Sequence, residues 1–176
     1  AKTNLKELWS QIDGGSFILE KAVHFNREVS VIIARNAQGE HAFYELCENK
    51  HKQGILTTTL VPAVASENSP KAFEYAQKIA DKLNYVGVLT VEMFETDGCL
   101  FINEMAPRVH NSGHWSIEGA VTSQFENHLR AGLGIPLGST AMQSGYAAMI
   151  NWIGEIPSVG FTSKEKDVHW HIYGKQ

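Results

Sequence analysis

Short runs of apolar residues that alternate with polar ones, or that are β-branched, recur along most of the chain. Residues 28–35 form such a run, the turn signal Asn36 to Gly39 follows it, and residues 41–48 are predicted to be the returning strand. The full set of predicted strands is 16–23, 28–35, 41–48, 56–61, 88–94, 100–105, 146–153 and 168–173. Strands this short, joined by tight turns, favour a mostly antiparallel sheet.

Helical spacing of apolar residues is clearest after Ser69-Pro70, which is a typical helix start. The apolar positions with this spacing are Phe73, Ala76, Ile79, Ala80 and Leu83. A second helix is predicted over 123–133, ahead of Gly134 and Pro136, and a third over 4–12, ahead of Gly14. The predicted fold class is therefore α+β, with helices packed on the sheet.

Composition is that of an ordinary globular chain. Of its 176 residues, 43% are apolar and 19% charged, and the formal net charge is −4 without a basic run. The charge argues against nucleic acid as a partner, and without about 18 consecutive apolar residues no membrane span is predicted. Two cysteines, Cys47 and Cys99, are too few for a disulfide framework and favour a reducing cytoplasm.

Both ends of the chain suggest a fragment of a longer enzyme. The sequence has no starting Met, and residues 4–12 resemble the tail of a helix without a clear beginning. At the other end it stops within an apolar and aromatic alternation over residues 168–174, whereas domain ends are usually polar.

Two carboxylates lie inside predicted strands. Glu92 stands in Val88-Leu-Thr-Val-Glu-Met-Phe94, and Glu104 stands in Leu100-Phe-Ile-Asn-Glu-Met105. A buried carboxylate is costly unless it is paired or binds a cation. Mg²⁺ takes one or two carboxylates and leaves its other positions to water and phosphate oxygens, so this pair, with Asn103 nearby, predicts a magnesium site. The alternative is that both carboxylates face solvent on an exposed sheet surface.

The register of this hairpin decides between the two interpretations. A two-residue turn at Asp97-Gly98 would pair Glu92 with Asn103 and turn Glu104 to the other face. A three-residue loop, or a bulge within residues 96–99, would pair Glu92 directly with Glu104. We therefore expect an odd loop or a bulge in residues 96–99 if the magnesium site exists.

An irregular polar loop follows Glu104. Within residues 107–114, Arg108 suits a phosphate or carboxylate, and His110, Asn111 and Ser112 can hydrogen-bond a polar small molecule. A zinc site at His110 and His114 is disfavoured because no cysteine or third histidine stands at a zinc-like spacing. The remaining histidines, apart from His51, are interpreted as structural or surface residues.

Three stretches resemble the ATP-grasp superfamily and, within it, the N5-carboxyaminoimidazole ribonucleotide synthetases. They are Phe17 to Ser30, His51 to Thr57 and, as the most specific, Tyr85 to Val88 together with Ile102-Asn-Glu-Met-Ala-Pro-Arg-Val-His-Asn-Ser-Gly-His-Trp115. The resemblance implies the C-terminal portion of an ATP-grasp fold. It divides the chain into residues 1–60 (lid and adenine region), 61–140 (core with the hairpin and the loop) and 141–176 (start of a small β-rich domain).

The resemblance also implies a nucleotide site. Glu20, Lys21, Ala22 and Val23 match the segment that holds adenine, with backbone groups of Lys21 and Val23 at the base edge. Glu28 matches an acid that binds the ribose hydroxyls, and His51 matches a histidine near the nucleotide. The implied cofactors are ATP and Mg²⁺, and the residues that match the nucleotide and metal ligands at the hairpin are Glu92, Asn103 and Glu104.

For the substrates, the resemblance assigns Arg108, His110 and Asn111 to bicarbonate and 5-aminoimidazole ribonucleotide, with Ser112 beside them. Lys175 matches a lysine that contacts the substrate phosphate. The implied reaction uses ATP to activate bicarbonate as carboxyphosphate and then carboxylates the amine. Its product would pass to the carboxyaminoimidazole ribonucleotide mutase of purine biosynthesis, and a homodimer is compatible with the family.

This sequence departs from the family pattern at both ends. The family's N-terminal domain, the lysine and glycine-rich loop over the ATP phosphates, and a basic segment after Lys175 have no counterpart here. We therefore expect the 176-residue chain alone to be inactive. Three alternatives stay open. They are another ATP-grasp ligase, a non-catalytic nucleotide-binding module and a plain α+β domain without a site.

Overall fold

The computed structural model describes residues 5–11, 16–155 and 166–172. The strands in these ranges are β1 (Arg27–Arg35), β2 (His41–Phe43), β3 (Cys47–Lys52), β4 (Ile55–Val61), β5 (Gly87–Thr96), β6 (Cys99–Ala106) and β7 (Ala147–Ile150). The helices are α1 (Leu5–Gln11), α2 (Ser69–Lys82), α3 (Ser116–Gly119) and α4 (Gln124–Gly132), with a 3-10 turn at Asn111–Gly113.

The strands form one sheet in the order β6-β5-β1-β3-β4-β7, and β2 pairs with the end of β1. Every pair is antiparallel. The predicted α+β class with a mostly antiparallel sheet is therefore confirmed. β7 joins the sheet through β4, where Val61 pairs with Ala147.

One face of the sheet is covered by α2. Alternate residues of the two central strands point to this face because side chains in a strand alternate. The buried residues of this core are Val29, Val31, Ile33, Leu46, Ala63, Ala72, Ala76, Ala80, Leu89, Val91 and Met93. Its helical side consists of three alanines of α2, and such small side chains let the helix lie close to the sheet.

The opposite face carries a second core at one end of the central strands. Ile32 and Val88 pack there with Trp115 and Ala120 from the α3 region. Toward the other end of the same strands, Glu28 and Phe94 are only partly buried. This face is therefore half covered and half open, and polar side chains occupy the boundary.

Residues 41–48 were predicted as one strand, but the structure divides them into β2 and the start of β3. β2 pairs with residues 33–35 of β1, whereas β3 pairs with residues 28–30. The break places Tyr44 in the core, 1% exposed, and its hydroxyl donates to the carbonyl of Thr122 over 2.9 Å. Burying Tyr44 in the core therefore stabilises the fold more than an unbroken strand over residues 41–48 would.

The predicted strands at 16–23 and 168–173 were wrong for the residues that the structure describes. Residues 16–25 and 168–172 are irregular there, and Phe17, Ile18 and Leu19 are largely exposed. A strand needs a hydrogen-bonded neighbour, and within the described part of the chain neither segment pairs with one.

None of the helices in the described ranges is both long enough and apolar enough to cross a bilayer.

A buried carboxylate ties three strands to the start of α2. Arg27 of β1 lies 2.5 Å from Glu95 of β5 and 3.0 Å from Glu48 of β3, measured from guanidinium nitrogen to carboxylate oxygen. Asn68 donates to Glu95 over 3.3 Å, and Ser66 also donates to it. Burial alone would raise the pKa of Glu95, but these donors outweigh burial and lower it.

Glu95→Gln keeps the shape of this side chain and removes its charge. At pH 7 we expect the free energy of unfolding in urea to fall by about 2 kcal/mol, as is typical for hydrogen bonds to a charged group. Because the folded-state pKa is depressed, the contribution is present above about pH 4.3 and is lost as the pH falls through the folded value. The difference in free energy of unfolding between the wild type and Glu95→Gln should therefore become smaller as the pH is lowered.

Glu74→Gln is the matched control, because Glu74 pairs with Lys78 on the exposed surface of α2. Its stability should change little at any pH. An equal loss in both variants would contradict the structural role assigned to Glu95.

Candidate active site

The hairpin of β5 and β6 brings Glu92 and Glu104 directly opposite each other. Opposed residues of an antiparallel pair project from the same face, so the two carboxylates share one surface. Glu92 lies at the boundary of the covered face, with a side chain 13% exposed, whereas Glu104 is exposed.

The β-bulge of this hairpin does not lie where the sequence predicted it. Thr96 pairs with Cys99 across the two-residue turn Asp97-Gly98, in which Gly98 has φ +77°. The ladder remains regular to Met93 and Ile102, and the register then shifts so that Asn103 is the extra residue. The expected bulge in residues 96–99 was therefore wrong, but a bulge at Asn103 produces the same pairing of the two carboxylates.

His110 connects Glu92 to the loop that follows β6. Its Nε2 lies 2.8 Å from a Glu92 carboxylate oxygen, and its Nδ1 accepts from the Ser112 backbone N–H over 3.3 Å. Burial alone would raise the pKa of Glu92, but the hydrogen bond from His110 and the nearby Arg108 guanidinium outweigh it and lower that pKa. Glu92 is therefore held as a carboxylate at neutral pH.

A buried amide fixes the backbone of this loop. Gln124, the first residue of α4, is fully buried; its side-chain oxygen accepts from the His110 N–H over 2.9 Å. Its side-chain nitrogen donates to the His110 carbonyl over 2.6 Å. Ser116 links the two segments further, because its hydroxyl donates to the Gly113 carbonyl and accepts from the Gln124 N–H.

Glu28 and His51, which the resemblance assigns to the nucleotide, also meet. His51 Nδ1 on β3 and a carboxylate oxygen of Glu28 on β1 are in hydrogen-bond contact. Beside them, the rings of Phe25 and Phe94 stack with centroids 4.5 Å apart and planes 12° from parallel. The open half of the sheet face thus has a charged side and an aromatic side.

Two further parts of the sequence carry residues that the resemblance assigns to a site. Glu20, Lys21 and Ala22 are exposed and Val23 is half-buried, all in the irregular segment before β1. Lys175 lies outside the described residues.

Two loop residues extend the polar cluster beyond His110. Arg108 is exposed and donates to the Val109 carbonyl over 3.0 Å. The side-chain oxygen of Asn111 is buried and accepts no hydrogen bond within the described part of the chain.

The residues at the hairpin fit a magnesium ion better than a metal held entirely by protein. Within the described ranges, no cluster of three or more His, Cys, Asp or Glu side chains could hold a metal. Two opposed carboxylates, Glu92 and Glu104, repel unless a cation lies between them, and Mg²⁺ usually takes only one or two protein carboxylates. The donor set therefore suits a hydrated ion that also binds phosphate oxygens.

Several buried polar residues were not identified from the sequence. Ser30, Asn49 and Thr59 lie on three neighbouring strands beneath the loop, and all three are buried, as is Gln124. Ser30 interrupts the apolar run of β1, and such an interruption is the signal that could have drawn attention to it. Nothing in the local pattern relates Asn49, Thr59 or Gln124 to His110, because the hydrogen bonds that connect them join residues 10 or more positions apart in sequence.

A family model described as the ATP-grasp domain matches residues 1–125. N5-carboxyaminoimidazole ribonucleotide synthase of Pseudomonas aeruginosa is 52% identical over 161 residues, which are 90% of this chain and 43% of that protein.

Two solved structures show the same likeness. N5-carboxyaminoimidazole ribonucleotide synthetase from Thermus thermophilus has a TM-score of 0.84 at 55% identity, over 88% of this chain and 43% of that one. N5-carboxyaminoimidazole synthase from Aspergillus clavatus, solved with ADP and 5-aminoimidazole ribonucleotide, has a TM-score of 0.70 at 34% identity, over 77% and 37%. The chain spans less than half the length of each of these three relatives.

The close packing of the loop gives a stability prediction at Gly113. A Cβ added there would lie 2.5 Å from the Gln124 side-chain oxygen and 2.6 Å from Ile32 Cδ1. We expect Gly113→Ala to lower the free energy of unfolding by about 1–3 kcal/mol, the usual cost of overpacking. Thermal and urea denaturation measure the change.

Gly132→Ala provides the matched control, because the added Cβ meets nothing within 4 Å at the end of α4. Alanine also has the higher helix propensity, so this variant should be as stable as wild type or slightly more stable. A Gly113→Ala variant as stable as Gly132→Ala would show that the loop repacks freely.

Proposed function

Because the chain belongs to the ATP-grasp family, we propose that the full-length protein that contains it is an ATP-dependent ligase. It carboxylates 5-aminoimidazole ribonucleotide with bicarbonate to give N5-carboxyaminoimidazole ribonucleotide, with Mg²⁺ and ATP as cofactors. The observation that carries the proposal is the register in which Glu92 opposes Glu104 with His110 hydrogen-bonded to Glu92. The activity named for the Pseudomonas aeruginosa relative and the ligands of the Aspergillus clavatus complex support the choice of substrate.

The nucleotide would lie on the open half of the sheet face. Glu28 would accept hydrogen bonds from the ribose hydroxyls, and its hydrogen bond with His51 orients the carboxylate for that contact. The segment from Glu20 to Val23 would hold the adenine, and backbone groups of Lys21 and Val23 would contact it. This segment is exposed in the isolated chain, and we propose that upstream parts of the full-length protein bring it into place.

Glu92 and Glu104, with Asn103 beside them, would hold the magnesium ion. When bound, the ion neutralises charge on phosphate oxygens during phosphoryl transfer. Holding Glu92 ionised at neutral pH is the contribution of His110 and Arg108, because both favour the carboxylate over the acid. The bulge at Asn103 places Glu104 opposite Glu92, because without it Glu104 would face away from Glu92.

The loop after β6 would bind the substrates. Arg108 carries a guanidinium that pairs with the charge of bicarbonate activated as carboxyphosphate. Asn111 and His110 would orient the bicarbonate or the amine, and Ser112 lies beside His110. Lys175 would contact the substrate phosphate. We further propose a cytoplasmic homodimer whose product passes to the carboxyaminoimidazole ribonucleotide mutase.

A substrate panel on the full-length protein tests the reaction. ADP formation should require both bicarbonate and 5-aminoimidazole ribonucleotide, and consumption of the ribonucleotide should match the ADP formed. ADP formation with a different amine or carboxylate would instead identify another ATP-grasp ligase.

Glu104→Gln tests the metal assignment. The substitution keeps the size of the side chain and removes one of the two carboxylates, so magnesium-dependent turnover by the full-length protein should fall by about 100-fold or more. Glu74→Gln, on the surface of α2 across the sheet, is the control and should retain wild-type turnover. Unchanged activity in Glu104→Gln would refute the assignment.

The isolated 176-residue chain should not couple ATP turnover to carboxylation, because phosphoryl transfer requires the complete set of phosphate-binding groups. The carboxylate pair Glu92 and Glu104 and the loop after β6 supply only part of that set. Calorimetry with Mg-ATP separates a binding module from an inert fragment. Coupled turnover by the isolated chain would overturn this expectation.

A further inference from the structure

A continuous row of buried polar side chains runs beneath His110. It begins at Thr59 on β4, passes Asn49 on β3 and Ser30 on β1, and reaches Ser112 in the loop. Thr59, Ser30 and Ser112 are fully buried, and Asn49 is 4% exposed. Buried polar groups are costly unless each has a partner, so a row of this length needs a consistent arrangement of donors and acceptors.

The direction of the hydrogen bonds in this row can be read from its His110 end. The Ser112 backbone N–H can only donate, and it points at Nδ1 of His110 over 3.3 Å. Nδ1 must therefore be the unprotonated nitrogen of the ring. The ring proton is then on Nε2, where it faces the Glu92 carboxylate over 2.8 Å.

The same polarity extends through the two serine hydroxyls. The Ser112 hydroxyl lies 2.9 Å from the same Nδ1, so it must donate as well, because two facing lone pairs would repel. Because its hydrogen points at Nδ1, the Ser112 hydroxyl accepts a hydrogen bond from the Ser30 hydroxyl 2.9 Å away. Ser30 in turn accepts from the Asn49 amide nitrogen over 2.8 Å.

The last step lies between β3 and β4. The Asn49 amide directs its nitrogen to Ser30 and its oxygen to Thr59, whose hydroxyl donates to that oxygen over 3.0 Å. Each hydroxyl and the amide thus donates once toward His110. The direction is the same at every step from β4 to the loop.

We propose that Thr59, Asn49, Ser30 and Ser112 form a one-way hydrogen-bond relay that, together with the Ser112 backbone N–H, holds His110 in the Nε2–H tautomer. Thr59, Asn49 and Ser30 are then positioning residues that act on Glu92 through His110. In the other tautomer, the Nε2 lone pair would face the carboxylate and push it away. The catalytic meaning of the relay rests on the proposed function, whereas the tautomer itself does not.

Nitrogen NMR of the chain labelled with ¹⁵N-histidine tests the relay. At about pH 8, where histidine is neutral, His110 should show an unprotonated Nδ1 and a protonated Nε2, assigned by the signal missing from His110→Gln. Thr59→Val is isosteric but removes the first donor, so Asn49 and the two hydroxyls can reverse. The ratio of Nδ1–H to Nε2–H should then rise about fivefold, the factor that one hydrogen bond typically contributes.

Thr59→Ser restores the hydroxyl and should restore the wild-type ratio, whereas a purely structural role of Thr59 would change stability without changing the tautomer. A protonated Nδ1 in the wild-type chain, or an unchanged ratio in Thr59→Val, would overturn the proposal. A full-length protein that fails to carboxylate 5-aminoimidazole ribonucleotide, with the tautomer as expected, would refute the proposed function and leave the relay intact.

Discussion

The bulge at Asn103 is the constraint on which the candidate site depends. A regular hairpin closed by the two-residue turn at Asp97-Gly98 would place Glu92 and Glu104 on opposite faces of the sheet. One additional residue in β6 brings them to the same face. Two carboxylates in this arrangement repel, so the sheet maintains a geometry that is unfavourable without a cation between them. Such a cost is typical of a functional site.

The remaining structure holds the partners of that pair in place. The face covered by α2 is an ordinary apolar core, and it keeps the central strands in register. The opposite face is apolar only at one end, and its boundary carries His110, Ser112 and Ser30. Gln124 fixes the loop backbone at that boundary. A rigid loop on a rigid sheet is what precise positioning of Glu92 requires.

Strongly patterned elements could be predicted from the sequence, and elements that depend on a neighbour could not. The spacing of Ala76 and Ala80 predicted α2, and the run before Arg35 predicted β1, because each carries its own periodicity. The apolar run near Phe17 has the same local pattern as a strand, but no neighbour pairs with it in the described part of the chain. The break at Tyr44 was likewise decided by a core position formed by distant segments.

The sequence by itself determined the residue types of the site and their order along the chain. It identified Glu92, Glu104 and the loop with His110, because carboxylates within strands and a polar loop after a strand are local signals. Only the tertiary structure decided where the register shifts and how Ser30, Asn49, Thr59 and Gln124 reach His110. The buried hydrogen-bond network depends on residues that meet across 10 or more residues of sequence, and local pattern does not encode that meeting. The bulge lies within a hairpin, but the pattern of β5 and β6 does not determine the residue at which their register shifts.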